Sequence, residues 1–219
     1  MPFRNTARTV TVNSAAAATG PRVRASSQLA YSSTTSIPIP AATAVGDLLV
    51  LITTGVNAPG TLVASSGWNL ISVSSTQAVY SRPAVAGDAG SNLAVTSGSG
   101  QAATAALLVL AGATGVALLA TGTVGNTPVS MATGTTSAPA LFIGSIGGGT
   151  GTSSPTWAWG TAAQGGPTNP PAWSQLSLIN GGGGSQYTAV STANWTSPAS
   201  YQAAPTGGTT LPAFLLLAS

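Results

Sequence analysis

GWNLISVSSTQAVYSR, residues 67–82, reads as two short strands on either side of a Ser/Thr turn, and it holds Trp68, Tyr80 and Arg82. One such hairpin could be a ligand platform, with its aromatics stacked on a sugar, or simply part of a core. Recurrence decides between them. With its neighbours DLLVLITT (47–54), NLAVTS (92–97) and AALLVLAG (105–112), the hairpin makes one unit, residues 45–112. Residues 139–219 give the same order, with PALFIGSIG, WAWG, AWSQLSLI, QYTAVST, SYQAAP and PAFLLLAS. Trp68 then matches Trp173, Leu70 matches Leu176, AVYS (78–81) matches TAVS (188–191), and AALLVLAG matches PAFLLLAS (212–219) without a gap. The second unit carries an extra loop, residues 160–171.

Each unit reads as a sheet of about five strands with one apolar face, which must be buried on something. The expected fold is therefore all-β. Two such sheets face each other in a jelly-roll-like β-sandwich that arose by internal duplication of a five-stranded unit. Trp68 and Trp173 occupy equivalent core positions. An extended N-terminal arm, residues 1–27, precedes the sandwich domain, residues 28–219. Further strands are expected at ARTVTVN (7–13), QLAYSSTTSI (28–37) and GVALLAT (115–121). GGGGS (181–185) reads as a permissive turn between two of them. Gly and Pro interrupt nearly every window of helical length.

Composition narrows the function classes. The chain has five basic and two acidic residues among 219, with 3% charged and 43% hydrophobic. Ordinary soluble surfaces carry roughly 25–35% charged residues. The surface here is built from Ser, Thr, Asn, Gln and Gly, and weak charge repulsion favours association. A homo-oligomer is expected. A nucleic-acid partner would need a broad basic face, which this chain lacks. The uncharged stretch 102–125 is broken by Gly112, Gly115 and Gly122 and reads as two buried strands, not a membrane span. MPFRNTARTVTVNS has no apolar run of a secretory leader.

Without His, Cys or Lys there is no ordinary catalytic triad, thiol, Schiff base or imidazole metal ligand. The only carboxylates, Asp47 and Asp88, each follow a glycine and read as turn residues that hydrogen-bond local backbone. No enzyme, metal or cofactor is expected. Two features remain for binding. Arg4, Arg8, Arg22 and Arg24 lie in the arm with no acid among them, and arginine's planar fork suits contacts with a neighbouring subunit. Trp157, Trp159, Tyr187, Trp195 and Tyr201 form an aromatic set for a subunit interface or for a host cell-surface glycan. The WAW spacing puts two indoles on one side of a strand.

A Pro-rich approach (SIPIPAATAVGDLLV), a GW strand (SGWNLIS), AVYSRPAVAGDAGSNLAVTS and AALLVLAGATGV together resemble a β-sandwich family of virion proteins from tailed phages infecting actinobacteria. The resemblance spans roughly residues 28–219. Such chains are usually called minor tail proteins. The resemblance implies assembly or adhesion at a tail tip or fibre, with other virion proteins as partners. The chain would be assembled in the host cytoplasm and localised in the phage particle. A capsid decoration or head-fibre protein held by its arm, and a carbohydrate-binding adhesion module, are the alternatives.

Overall fold

The computed structural model describes residues 20–124, 129–132, 140–147, 156–159, 173–181, 184–193, 200–204 and 211–219. Among them every regular element is a β-strand. The first half holds β1 (Arg22–Tyr31), β2 (Thr35–Pro38), β3 (Leu48–Gly55), β4 (Thr61–Leu62), β5 (Asn69–Val73), β6 (Gln77–Pro83), β7 (Asn92–Thr96) and β8 (Ala103–Ala111). The second holds β9 (Val116–Val124), β10 (Val129–Ala132), β11 (Ala140–Gly147), β12 (Thr156–Trp159), β13 (Ser174–Gly181), β14 (Gly184–Ala193), β15 (Ser200–Ala204) and β16 (Leu211–Ala218). No helix among the described residues is long and apolar enough to cross a membrane, and the uncharged stretch 102–125 is β8 and β9.

Four antiparallel sheets result. The first half makes a five-stranded sheet, β1-β8-β3-β6-β5, and a three-stranded one, β2-β7-β4. The second half makes β9-β16-β11-β14-β13 and β10-β15-β12, so every strand has its counterpart eight strands later, in the same order. The strand order that recurs takes in more than the five strands read from sequence. It has eight strands in two sheets and begins at β1 and β9, ahead of residues 45 and 139. β7 leaves the main sheet to pair with β2 and β4, and β1 closes the main sheet against β8.

Side-chain alternation explains the layering. Every residue of β3 (LLVLITTG) and β8 (ATAALLVLA) is buried, because both faces of their sheet are covered. Leu48, Val50, Ile52, Val79, Leu108 and Leu110 face Leu141, Ile143, Phe214, Leu216 and Ala218 of the second half, forming an inner core. The odd-numbered Leu49, Leu51, Leu107 and Val109 point the other way and meet Ile37, Leu62 and Val95 of the three-stranded sheet, forming an outer core. A period of two in side-chain direction thus divides one strand between two cores. β1, at the sheet's edge, alternates between exposed and half-buried residues, with Val23 against the inner core and Ala25 and Leu29 against the outer one.

The two five-stranded sheets stack with β3 over β11, β1 over β13 and β5 over β9. At one end the inner interface turns polar. Thr54, Gln77, Thr104 and Ser145 are fully buried there, and Gln77 Nε2 donates to Ser145 Oγ at 2.6 Å across the halves. Gly147 lies so close that a Cβ would stand 2.5 Å from Thr54 Oγ1 and 2.9 Å from Gln77 Nε2. The connection from β8 to β9 is tied to the chain's end: Thr114 N and Gly115 N donate to Ser219 O at 2.6 and 3.2 Å.

The four edge strands of the five-stranded sheets share one feature. In the edge pairings of β1, β5, β9 and β13 the register shifts by one residue, while the interior pairings run without a shift. Such bulges bend an edge away from foreign strands. They also correct residue equivalences. Ile71 and Leu176 are the skipped residues in β5 and β13, and both pack on the inner core, so Leu176 matches Ile71 and not Leu70. Leu70 is 54% exposed. In β8 and β16 it is the even-numbered residues that face inward, so the gapless match of 105–112 to 212–219 is off by one residue.

Truncating Ile52 or Leu108 to Ala should destabilise the chain by about 2–5 kcal/mol, and Leu70→Ala by less than about 0.5 kcal/mol. Gly147→Ala should cost about 1–3 kcal/mol by overpacking between the halves. Urea titration of the four variants checks this. A harmless Gly147→Ala would contradict the close approach.

Candidate functional site

The hairpin of residues 67–82 ends in a dense group of polar and aromatic side chains. Two turns of the same kind lie side by side here. In each, a glycine at positive φ (Gly46 at 87°, Gly87 at 91°) precedes an aspartate. That backbone conformation suits glycine because a Cβ would be strained. Asp47 Oδ2 accepts from Ala44 N at 2.8 Å, and Asp88 Oδ2 accepts from Val85 N at 2.7 Å. The turns are joined by Ala84, whose N donates to Asp47 O at 2.7 Å and whose O accepts from Gly46 N at 3.0 Å. Both aspartates hold local backbone, as their place after glycine implies.

Each carboxylate also receives an arginine fork. Arg24 Nε lies 2.7 Å from Asp47 Oδ2, with a second bond of 3.1 Å to Oδ1. Arg82 reaches both oxygens of Asp88 at 2.6 Å. Two parallel N–H···O⁻ bonds are the strong form of this contact. The Arg82 pair is well sheltered, at 13% and 10% side-chain exposure, whereas Arg24 is 35% exposed. The hydrogen bonds from Arg82 hold the Asp88 carboxyl below its ordinary pKa. The Arg82 guanidinium also lies 4.9 Å from the centre of the Trp68 ring, a cation–π distance. Trp68 and Tyr80 pack on the outer core. The hairpin is therefore a core element, and Trp68 carries the guanidinium over its ring. The sequence pattern puts Trp68 in the core between the two main sheets, but it packs on the outer side of its sheet. Beside it runs a shallow cavity of about 470 Å³, lined by Ala64, Ser66, Trp68, Arg82, Val85 and Leu93.

No known protein family, curated protein or solved structure matches this chain.

The structure separates the residues singled out from sequence. Arg22 and Arg24 stand on β1, paired in register against β8, so residues 22–27 belong to the sheet and not to an arm. Arg24 closes on Asp47 of its own chain. Arg4 and Arg8 lie outside the described residues. Trp157 and Trp159 lie on β12, where Trp159 is set opposite Tyr201 of β15. Tyr187 lies in the other sheet, on β14 opposite Ile146. Trp195 lies outside the described residues. Sequence reading missed the Trp68–Arg82–Asp88 group. The one available signal was that Arg82, the only arginine beyond residue 24, precedes a Gly–Asp turn by six residues.

The pH dependence follows from these pairs. A depressed folded-state pKa gives Asp88 a stabilising contribution that is present above the ordinary carboxylate value of about 3.9 and is lost as pH falls through the folded value. With no His, Lys, Cys or Glu, no side chain titrates between about pH 5 and 9. Urea midpoints should be flat across that window, fall below about pH 4, and fall again above about pH 10, because burial raises the Tyr31 and Tyr80 phenols above their ordinary pKa. Asp88→Asn should lower stability at neutral pH and blunt the acid loss. Arg82→Ala should cost about 2–3 kcal/mol, because it leaves a sheltered carboxylate without its partner.

Proposed function

We propose that this chain is a structural component of a tailed-phage virion, a minor tail protein at the tail tip or fibre, built from two duplicated jelly-roll units. The repeated strand order carries the proposal. Within each half, 1-8-3-6 lies in one sheet and 2-7-4 in the other. This order supports a jelly-roll reading, a fold frequent in viral capsid and lectin domains, with strand 5 at the edge of the first sheet. The same order twice in one chain supports duplication.

The use of charge supports a structural role. Asp47 and Asp88 are the chain's only carboxylates, and both are committed to turn backbone and to arginine forks. The reading assigns the chain no catalytic task and no cofactor. The resemblance in SIPIPAATAVGDLLV, SGWNLIS and the segments that follow supplies the phage tail as the setting. Other virion proteins are then its partners. Several copies pack in the particle, with few surface charges to oppose them. The arm-anchored capsid reading is weaker, because Arg24 is engaged within its own chain.

Immunogold labelling of intact particles with an antibody to this chain tests the proposal. Gold at the distal tail is expected. Gold spread over the head would replace the tail reading with a decoration protein, and particles free of the chain by quantitative mass spectrometry would overturn the virion reading.

A further inference from the structure

The two halves leave one corner of their interface open. Where β5 ends, Val73 and the turn Ser74–Thr76 form one wall of a cleft, and β9 and the start of β16 form the other. The cleft holds about 710 Å³, inside the range of roughly 300–1,000 Å³ common for small-molecule sites, which often lie where two units meet.

The chemistry of the second wall departs from its surroundings. Register sets Thr121 opposite Phe214 and Thr123 opposite Pro212, and directly opposed residues share a face of the sheet. Phe214 belongs to the inner core. Two threonines therefore stand on the face that elsewhere carries Leu141, Ile143 and Leu216, at the corner that the first half does not cover. On the first wall, Ser74 Oγ holds the turn by accepting from Gln77 N at 3.0 Å. Thr76 Oγ1 is out of reach of solvent and has no hydrogen-bond partner. Val73 is apolar and 56% exposed. Among the described residues, no ionisable side chain lines the cleft.

We propose that this cleft binds a neutral saccharide. Hydroxyls from Ser75, Thr121 and Thr123 can each donate and accept, which matches a ligand whose own groups do both. Val73 and Pro212 offer apolar surface to the C–H face of a sugar ring. An ionised ligand would lose hydration here and meet no opposite charge. The inference goes beyond the virion reading and does not depend on it, since it is tested on the isolated chain.

The test is amide NMR of the full chain titrated to millimolar maltotetraose, mannotetraose and galactotetraose, with tetragalacturonate as the charged control. At least one neutral tetrasaccharide should shift amides at residues 73–76 and 121–123, and tetragalacturonate should not. Thr123→Val, which removes one hydroxyl at nearly constant shape, should weaken binding about fivefold. Val73→Arg, at an exposed position, should abolish it. No shift at these amides from any of the three sugars overturns the proposal. So does an equal response to tetragalacturonate, or undiminished binding by Val73→Arg.

Discussion

Everything else in the molecule rests on the apolar contact between the two five-stranded sheets. β3 and β8 carry apolar side chains on both faces, so neither face can be left to water. One face is covered by the chain's own three-stranded sheet, through Leu49, Leu51, Leu107 and Val109. The other, through Leu48, Val50, Ile52, Leu108 and Leu110, needs a second apolar sheet, and the second half supplies one with Leu141, Ile143, Phe214 and Leu216. Burying side chains of this size contributes about 1.5–3 kcal/mol each, far more than any polar contact between the halves. The buried Gln77–Ser145 hydrogen bond adds direction to that contact, because an offset of the sheets would leave these polar groups unpaired.

A surface with so few charges creates a second problem, and the structure answers it through geometry. Sheet edges are commonly guarded by lysine or by inward-pointing charges. This chain has no lysine and only two acids. A bulge in each of the four edge strands takes that place, at Arg24, Ile71, Leu119 and Leu176. The few charges present act locally. Arg24 and Arg82 each close a Gly–Asp turn, and Ala84 links the two turns into one corner. Arg82 also covers Trp68, so the hairpin's aromatic end is fixed on both sides.

Much of this was legible in the sequence. Nearly every described strand was visible as a short β-rich run between turn residues, because alternation and Gly/Pro punctuation are local signals. β4 and β10 were not read as strands, and the end of β1 ran together with β2 in the single run 28–37. The first part of β1, RVRASS, looked like an arm because arginines flank its apolar residues, Val23 and Ala25, which the bulge at Arg24 sends to different cores. Pairing was not legible. Alternation tells which residues share a face but not which strand lies alongside, so the split into sheets of five and three strands was missed. Leu176 was matched to Leu70, although Ile71 stands three residues after Trp68 as Leu176 does after Trp173 and both are skipped at equivalent bulges. The turn role of Asp47 and Asp88 followed from the preceding glycine, whereas their arginine partners come from strands fixed only by the tertiary fold.

Whether the two halves face each other as described can be read from methyl nuclear Overhauser contacts in the intact chain. Contacts are expected between Leu48, Val50, Ile52, Leu108 and Leu110 on one side and Leu141, Ile143, Leu216 and Ala218 on the other. Contacts confined to each half, with none between these two groups, would contradict the stacking of the sheets.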